Sequence, residues 1–171
     1  VQPDALISLG VAVGRDVVSL EQVAINLDSA GIEDNDGDQR CDEPIVPDGR
    51  EAYFSSLPVR ASFERLRAAG EPVEISYTAG TYVCNHVFYE GQRISRELGL
   101  SIPAGFVHVP AICADGEEEA DGEETTEGVE LTAHRAAGGV VRDEQGVPYL
   151  PESTVVRIIA EIASDTLPAV D

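Results

Sequence analysis

The sequence predicts an α/β fold of three layers, α/β/α, in which a mostly parallel twisted sheet is covered by helices on both faces. Three observations predict it. Short runs of β-formers alternate with stretches of helical periodicity, the pattern of a sheet crossed by helices. A length of 171 residues suits one compact domain with a sizeable core. Forty-three per cent apolar residues with few aromatics suit an ordinary α/β domain and exclude a disordered tail.

The elements follow in order. Ala5 to Val13 is a nearly continuous apolar run with Gly10 and Gly14, expected to be a buried strand. Leu20 to Ile25 is a second short strand. From Asn26 to Gly49 the chain is rich in Asp, Gly, Pro and Asn, which is loop chemistry. Pro58 to Ala69 sets Val59, Phe63 and Leu66 against Arg60, Glu64 and Arg67, an amphipathic helix ended by Gly70. Val73 to Tyr77 alternates and reads as a strand. Thr81 to Leu98 carries Val83, Val87, Ile94 and Leu98 at roughly helical spacing and closes at Gly99. Ala104 to Val109 is a strand stopped by Pro110. An acidic, irregular insertion at about 113–147 is expected within a single domain spanning 1–171. Ser153 to Ser164 then turns Val155, Ile158, Ile159 and Ile162 toward a core as a last helix.

The net charge is −21, and all eleven basic residues are arginine. Such a surface repels phosphates, so no nucleic-acid partner is expected. Adaptation to high salt is one reading of this charge, and a solvated acidic loop on an ordinary enzyme is the other. No stretch approaches the ~18 apolar residues of a membrane span, so no membrane partner is expected. Asp4 and Arg15 interrupt any secretory leader. Three irregularly spaced cysteines, Cys41, Cys84 and Cys113, argue against a disulfide framework and for a reducing cytoplasm. The absence of a paired-cysteine motif gives a structural zinc site little support.

Cys84 follows a strand and a small-residue turn, within about the first turn of a helix. Free N–H groups and the positive end of the dipole are expected there to lower a thiol pKa and to receive an oxyanion. Position alone leaves open the alternative of a small buried hydrophobe. His108 ends a strand in Gly105-Phe106-Val107-His108-Val109-Pro110. In a parallel sheet its carboxyl edge would bring it near the start of the helix carrying Cys84. His86 points to another side of that helix, and His134 falls in the acidic insertion. Glu21 is a lone acid in an apolar strand, so it either faces solvent on an edge or has a partner.

Ser76 to Tyr89, Ser19 to Asn26 and Gly105 to Pro110 resemble the cysteine, glutamate and histidine motifs of the pyroglutamyl peptidase I family. Asp42 to Gly49 followed by Ala52 to Pro58 is similar as well. The resemblance runs from about Ala5 to Pro110 and keeps the order Glu, Cys, His. It implies a cysteine peptidase acting on peptides with an amino-terminal pyroglutamyl residue. In it Cys84 is the nucleophile, His108 the general base and acid, and Glu21 the residue that orients His108. It also implies a cytoplasmic homotetramer without metal or cofactor.

The family begins earlier, with a strand and a Gly-Phe-Glu-Pro-Phe-Gly type of loop that lines the lactam pocket. That N-terminal part of the fold is expected to be absent here, since the chain lacks methionine and starts past it. Gly31 stands where the family carries an arginine placed to help the oxyanion, Gln22 replaces a basic residue, and Val13 a small one. Two rival readings follow. One is a truncated or degenerate relative that serves as a non-catalytic binding or structural module, and the other is a cysteine hydrolase with a different substrate. A calcium loop is a weaker rival: Asp34, Asp36, Gly37 and Glu43 fit its later positions, but Ile32 at the first cannot ligate.

Overall fold

The computed structural model describes residues 3–115, 140–143 and 145–167. Its principal sheet has four strands in the order β1-β6-β2-β5. These are β1 (Leu6–Val11), β2 (Val18–Glu21), β5 (Val73–Ser76) and β6 (Ala104–Val109). Two smaller sheets flank it. One pairs β3 (Val23–Ile25) with β4 (Ala52–Phe54), and the other joins β7 (Ala111–Cys113), β9 (Pro148–Pro151) and β8 (Val141–Arg142). Three helices complete the described residues: α1 (Val59–Ala68), α2 (Cys84–Glu97) and α3 (Glu152–Thr166).

The period-two alternation of the strands builds the layers. Val18, Leu20, Val107 and Val109 turn to one face, where they pack with Leu66 of α1 and with Val155, Ile158 and Ile162 of α3. Phe106 turns to the other face and packs with Phe88 and Tyr89 of α2 and with Tyr53 of β4. α1 and α3 are tied side by side, for Arg65 pairs with Glu161 and Asp165 while Ser62 Oγ donates to Asp165 Oδ2. The result is a sheet between a two-helix layer and a one-helix layer.

Three expectations are corrected. The run Ala5–Val13 is not a buried strand. β1 is the edge of the principal sheet among the described residues, and Leu9 on it is 52 % exposed. The run Leu20–Ile25 is two strands, because Gln22 passes the chain from the principal sheet to the β3–β4 pair. Its N–H donates to Ser76 O, and its carbonyl accepts from Ser55 N. The sheet is mostly parallel, as expected, in its β1–β6 and β2–β5 pairs, but β2–β6 is antiparallel. β5 and β6 therefore run in opposite directions, and the shared carboxyl edge expected for Cys84 and His108 does not exist. β8 and the last residue of β7 lie within the expected insertion, and β4 and β9 lie in stretches for which no element was expected, while residues 116–139 of the acidic insertion, with His134, fall outside the described residues.

The loop 26–49 is held by its own polar side chains. Asp34 Oδ1 accepts from the N–H groups of Asp36 and Asp38, and a two-residue bridge joins Asp28 to Glu43. The spacing that suggested calcium is that of turn-forming Asp and Gly, Gly37 taking φ 86°. Among the described residues, no group of three or more His, Cys, Asp or Glu side chains is placed to hold a metal ion. No helix among them is long and apolar enough to cross a membrane.

Candidate active site

Strand register assembles the site. In the antiparallel pair β2–β6, Ser19 lies opposite His108, and in the parallel pair β1–β6, Gly10 lies beside His108. Residues two apart on a strand share a face, so Gly10, Glu21, Phe106 and His108 all turn toward α2. The open choice for Glu21 is thereby settled. It is fully buried, and its Oε1 accepts from His108 Nδ1 at 2.7 Å. Arg15 adds a second donor, with Nη1 2.9 Å from the same oxygen. The other oxygen, Oε2, is buried and has no partner among the described residues.

With Nδ1 committed to the carboxylate, Nε2 is the nitrogen of His108 left to exchange a proton. The ring itself is wedged against Phe106, their centroids 4.9 Å apart. This fixes the imidazole from the side while Glu21 fixes it from the end.

Cys84 reaches the same face from above. β5 ends at Ser76, opposite Glu21 in the register, and the chain turns through residues 77–83 into α2. Cys84 is the first residue of that helix, and no side chain caps it. Asn85 locks this start in place: its side chain accepts from Ile25 N at 2.9 Å and donates to the carbonyls of Ile25 and Leu27. Thr81 fastens the preceding turn by donating from Oγ1 to Ser29 O. The thiol then settles over Gly10. A Cβ at residue 10 would stand 2.9 Å from Cys84 Sγ and 2.8 Å from Phe106 Cζ, closer than carbon atoms tolerate.

That close approach gives a direct expectation for Gly10→Ala. The added methyl displaces the thiol or the Phe106 ring, costing about 1–3 kcal/mol of stability. A shift of the thiol by about 1 Å lowers turnover by about a hundredfold. Thermal melting read beside hydrolysis checks both figures.

The electrostatics depart from the sequence expectation. Burial pushes the Cys84 thiol above its ordinary pKa, and the Glu21 charge adds to this. Arg15 and the backbone N–H of Cys84 itself act in the opposite direction without prevailing. The helix start therefore does not by itself make a standing thiolate, and an ionised Cys84 needs a proton acceptor beside it. His108 is the imidazole on the same sheet face.

The other thiols and histidines stand differently. Cys41 is exposed. His86 leaves the site, its Nδ1 lying 2.8 Å from Oδ2 of the buried Asp28, which Arg40 also approaches. Gly31 lies on an exposed stretch, with nothing within 4 Å of where its Cβ would be. The structure thus brings Glu21, Cys84 and His108 to one sheet face and adds four residues that sequence reasoning missed: Gly10, Arg15, Asn85 and Phe106. For Asn85 a signal existed, since an amide beside Cys84 at a helix start suits a structural hydrogen-bonding role.

Comparisons with known proteins identify the family. The family model described as pyroglutamyl peptidase matches residues 1–132. A pyrrolidone-carboxylate peptidase of Pectobacterium carotovorum is 50 % identical over 109 residues, 64 % of this chain and 51 % of that protein. A pyrrolidone-carboxylate peptidase 1 of Ralstonia nicotianae is 49 % identical over 113 residues, 66 % of this chain and 53 % of that protein. The chain spans about half the length of these curated relatives. Among solved structures, pyroglutamyl peptidase I from Bacillus amyloliquefaciens matches with a TM-score of 0.75 and 32 % identity, over 96 % of this chain and 66 % of that one. The pyrrolidone carboxyl peptidase of Thermococcus litoralis matches with a TM-score of 0.72 and 30 % identity, over 96 % and 66 % respectively. Motif, fold and family match coincide on the same stretch of chain, and this chain belongs to the pyroglutamyl peptidase family.

Proposed function

We propose that this chain is a cysteine peptidase that removes an amino-terminal pyroglutamyl residue from peptides, with Cys84 as nucleophile, His108 as general base and acid, and Glu21 as its orienting carboxylate. The observation that carries this reading is the 2.7 Å bond from His108 Nδ1 to the buried Glu21, on the sheet face over which Cys84 stands. Membership of the pyroglutamyl peptidase family supports the choice of substrate.

Each step uses the side chains in turn. His108 Nε2 takes the thiol proton as Sγ attacks the pyroglutamyl carbonyl carbon. Glu21 holds the imidazole with Nδ1 protonated and offsets the charge of the imidazolium that forms. The N–H groups in the first turn of α2, which no side chain caps, are the donors available to the oxygen on which negative charge develops. Collapse of the tetrahedral adduct breaks the amide bond. The departing amine carries off the proton from Nε2, leaving a thioester on Cys84. Water, deprotonated by the same nitrogen, attacks the thioester, releasing pyroglutamate and restoring the thiol.

The proposal takes the chain as one peptidase domain with its acidic insertion at about 113–147, assembled as a cytoplasmic homotetramer and suited to high salt. The family resemblance supports the assembly. The arginine-only complement of basic residues and the net charge of −21 support the salt adaptation. Hydrolysis of a fluorogenic pyroglutamyl amide by the full chain, at low and at multimolar salt, tests the activity. Cleavage is expected to be stronger at high salt. Rates no greater than those of Cys84→Ala at either salt would rule the peptidase out, and salt-independent cleavage would remove the salt adaptation alone.

A further inference from the structure

Resting on the reading of Cys84, His108 and Glu21 as one unit, we propose that Arg15 is a positioning residue of that unit, aligning Glu21 toward His108 and tying it to the segment that delivers Cys84. Arg15 lies in the turn between β1 and β2, where Gly14 takes φ 96° and Arg15 N donates to Ala12 O. Its guanidinium spans two parts of the site. Nη1 donates to Glu21 Oε1 at 2.9 Å, while Nη2 reaches Thr78 O at 3.4 Å, in the turn between β5 and Cys84. The fork of an arginine suits this double engagement, and a point-charged lysine can satisfy only one side of it.

The first consequence is geometric. A carboxylate rotates easily between equivalent settings, and here one oxygen takes both donors while the other takes none among the described residues. Arg15 and His108 between them hold Oε1 where it accepts from Nδ1, leaving Nε2 free. The second consequence is electrostatic. A buried carboxylate favours the imidazolium but disfavours the thiolate that must form beside it. Glu21 and Arg15 act on the Cys84 thiol in opposite directions, so the cation offsets the adverse half of the carboxylate's effect. The titratable and charged groups acting on Cys84 are Glu21 from β2 and Arg15 from the preceding turn, with His108 from β6 paired to Glu21. His86 on its own helix is engaged by Asp28.

The test compares wild type with Arg15→Gln, Arg15→Met and Arg15→Lys in the full chain. Two readouts are taken: the pH profile of Cys84 alkylation by iodoacetamide, followed by peptide mapping, and turnover of a pyroglutamyl amide. In Arg15→Gln and Arg15→Met the alkylation midpoint is expected to rise by about one pH unit. At pH 7 their kcat falls about tenfold with KM little changed. Arg15→Lys, which keeps the charge, is expected to restore the midpoint and part of kcat. A wild-type midpoint and kcat in the neutral variants would overturn the proposal. So would an Arg15→Lys indistinguishable from them, which would mark the effect as packing. Failure of both neutral variants to fold would also overturn it, since Arg15 would then be a structural ion pair. Alkylation needs no substrate, so a wild type that cleaves no pyroglutamyl amide would sink the peptidase reading and leave the midpoints to decide this one.

Discussion

Replacing Cys84 by alanine is expected to lower hydrolysis of a pyroglutamyl amide by about 10⁵–10⁶-fold, with little change in thermal stability. The size follows from the covalent route. Without Sγ no thioester forms, and His108 and Glu21 have nothing to activate except water in a site shaped for a thiol. The stability expectation follows from packing. Sγ fills the space above Gly10 that a methyl there would need, so its removal gives up only one small half-buried contact. Steady-state rates beside a melting curve check the pair of expectations. Retained hydrolysis within a hundredfold of wild type would show that another nucleophile acts.

Glu21→Gln has the second largest expected effect, a loss of about 10⁴-fold in kcat. The amide keeps the shape of the side chain but not its charge, and its NH₂ can donate toward Nδ1. That donation favours the tautomer with the proton on Nε2, where it blocks transfer from the thiol. The imidazolium formed during attack also loses its counter-charge. The thiol responds in the opposite sense. Because the Glu21 charge pushes the Cys84 thiol up, removing it leaves Cys84 more easily ionised, and its alkylation profile shifts toward lower pH. A variant with a more acidic thiol and a far slower turnover separates the carboxylate's two roles. A kcat within tenfold of wild type would remove Glu21 from the mechanism.

Much of the site was legible in the sequence because its three motifs are local. Cys84 announces itself by a strand, a small-residue turn and a helix start. Glu21 does so as a lone acid among β-formers, and His108 as the polar end of an apolar strand. The route that joined them was wrong in one respect. Periodicity shows that a segment is a strand but not which way it runs beside its neighbours. The antiparallel β2–β6 pair, which places Ser19 opposite His108, lay beyond reach.

The missed residues share a cause. Arg15 acts on a partner six positions along and on Thr78 across the sheet, and Asn85 on Ile25 and Leu27 about sixty positions earlier. Gly10 matters only because another element descends onto it. Contacts of this kind exist only after folding. The expected fall in the Cys84 pKa failed for the same reason, since burial and the Glu21 charge come from tertiary structure and outweigh the local helix start. Strands of two or three residues such as β4 and β8 are too short to carry a period, and are set by the strands they join.

The central claim is that one thiol, Cys84, does the chemistry. Graded carboxymethylation of the full chain tests it most directly, with the modified fraction of each cysteine mapped beside residual hydrolysis of a pyroglutamyl amide. Activity is expected to fall in proportion to the modified fraction of Cys84, reaching background at one modification per chain, whatever the state of Cys41 and Cys113. Hydrolysis that persists with Cys84 fully modified would contradict the account, as would hydrolysis lost while Cys84 is still intact.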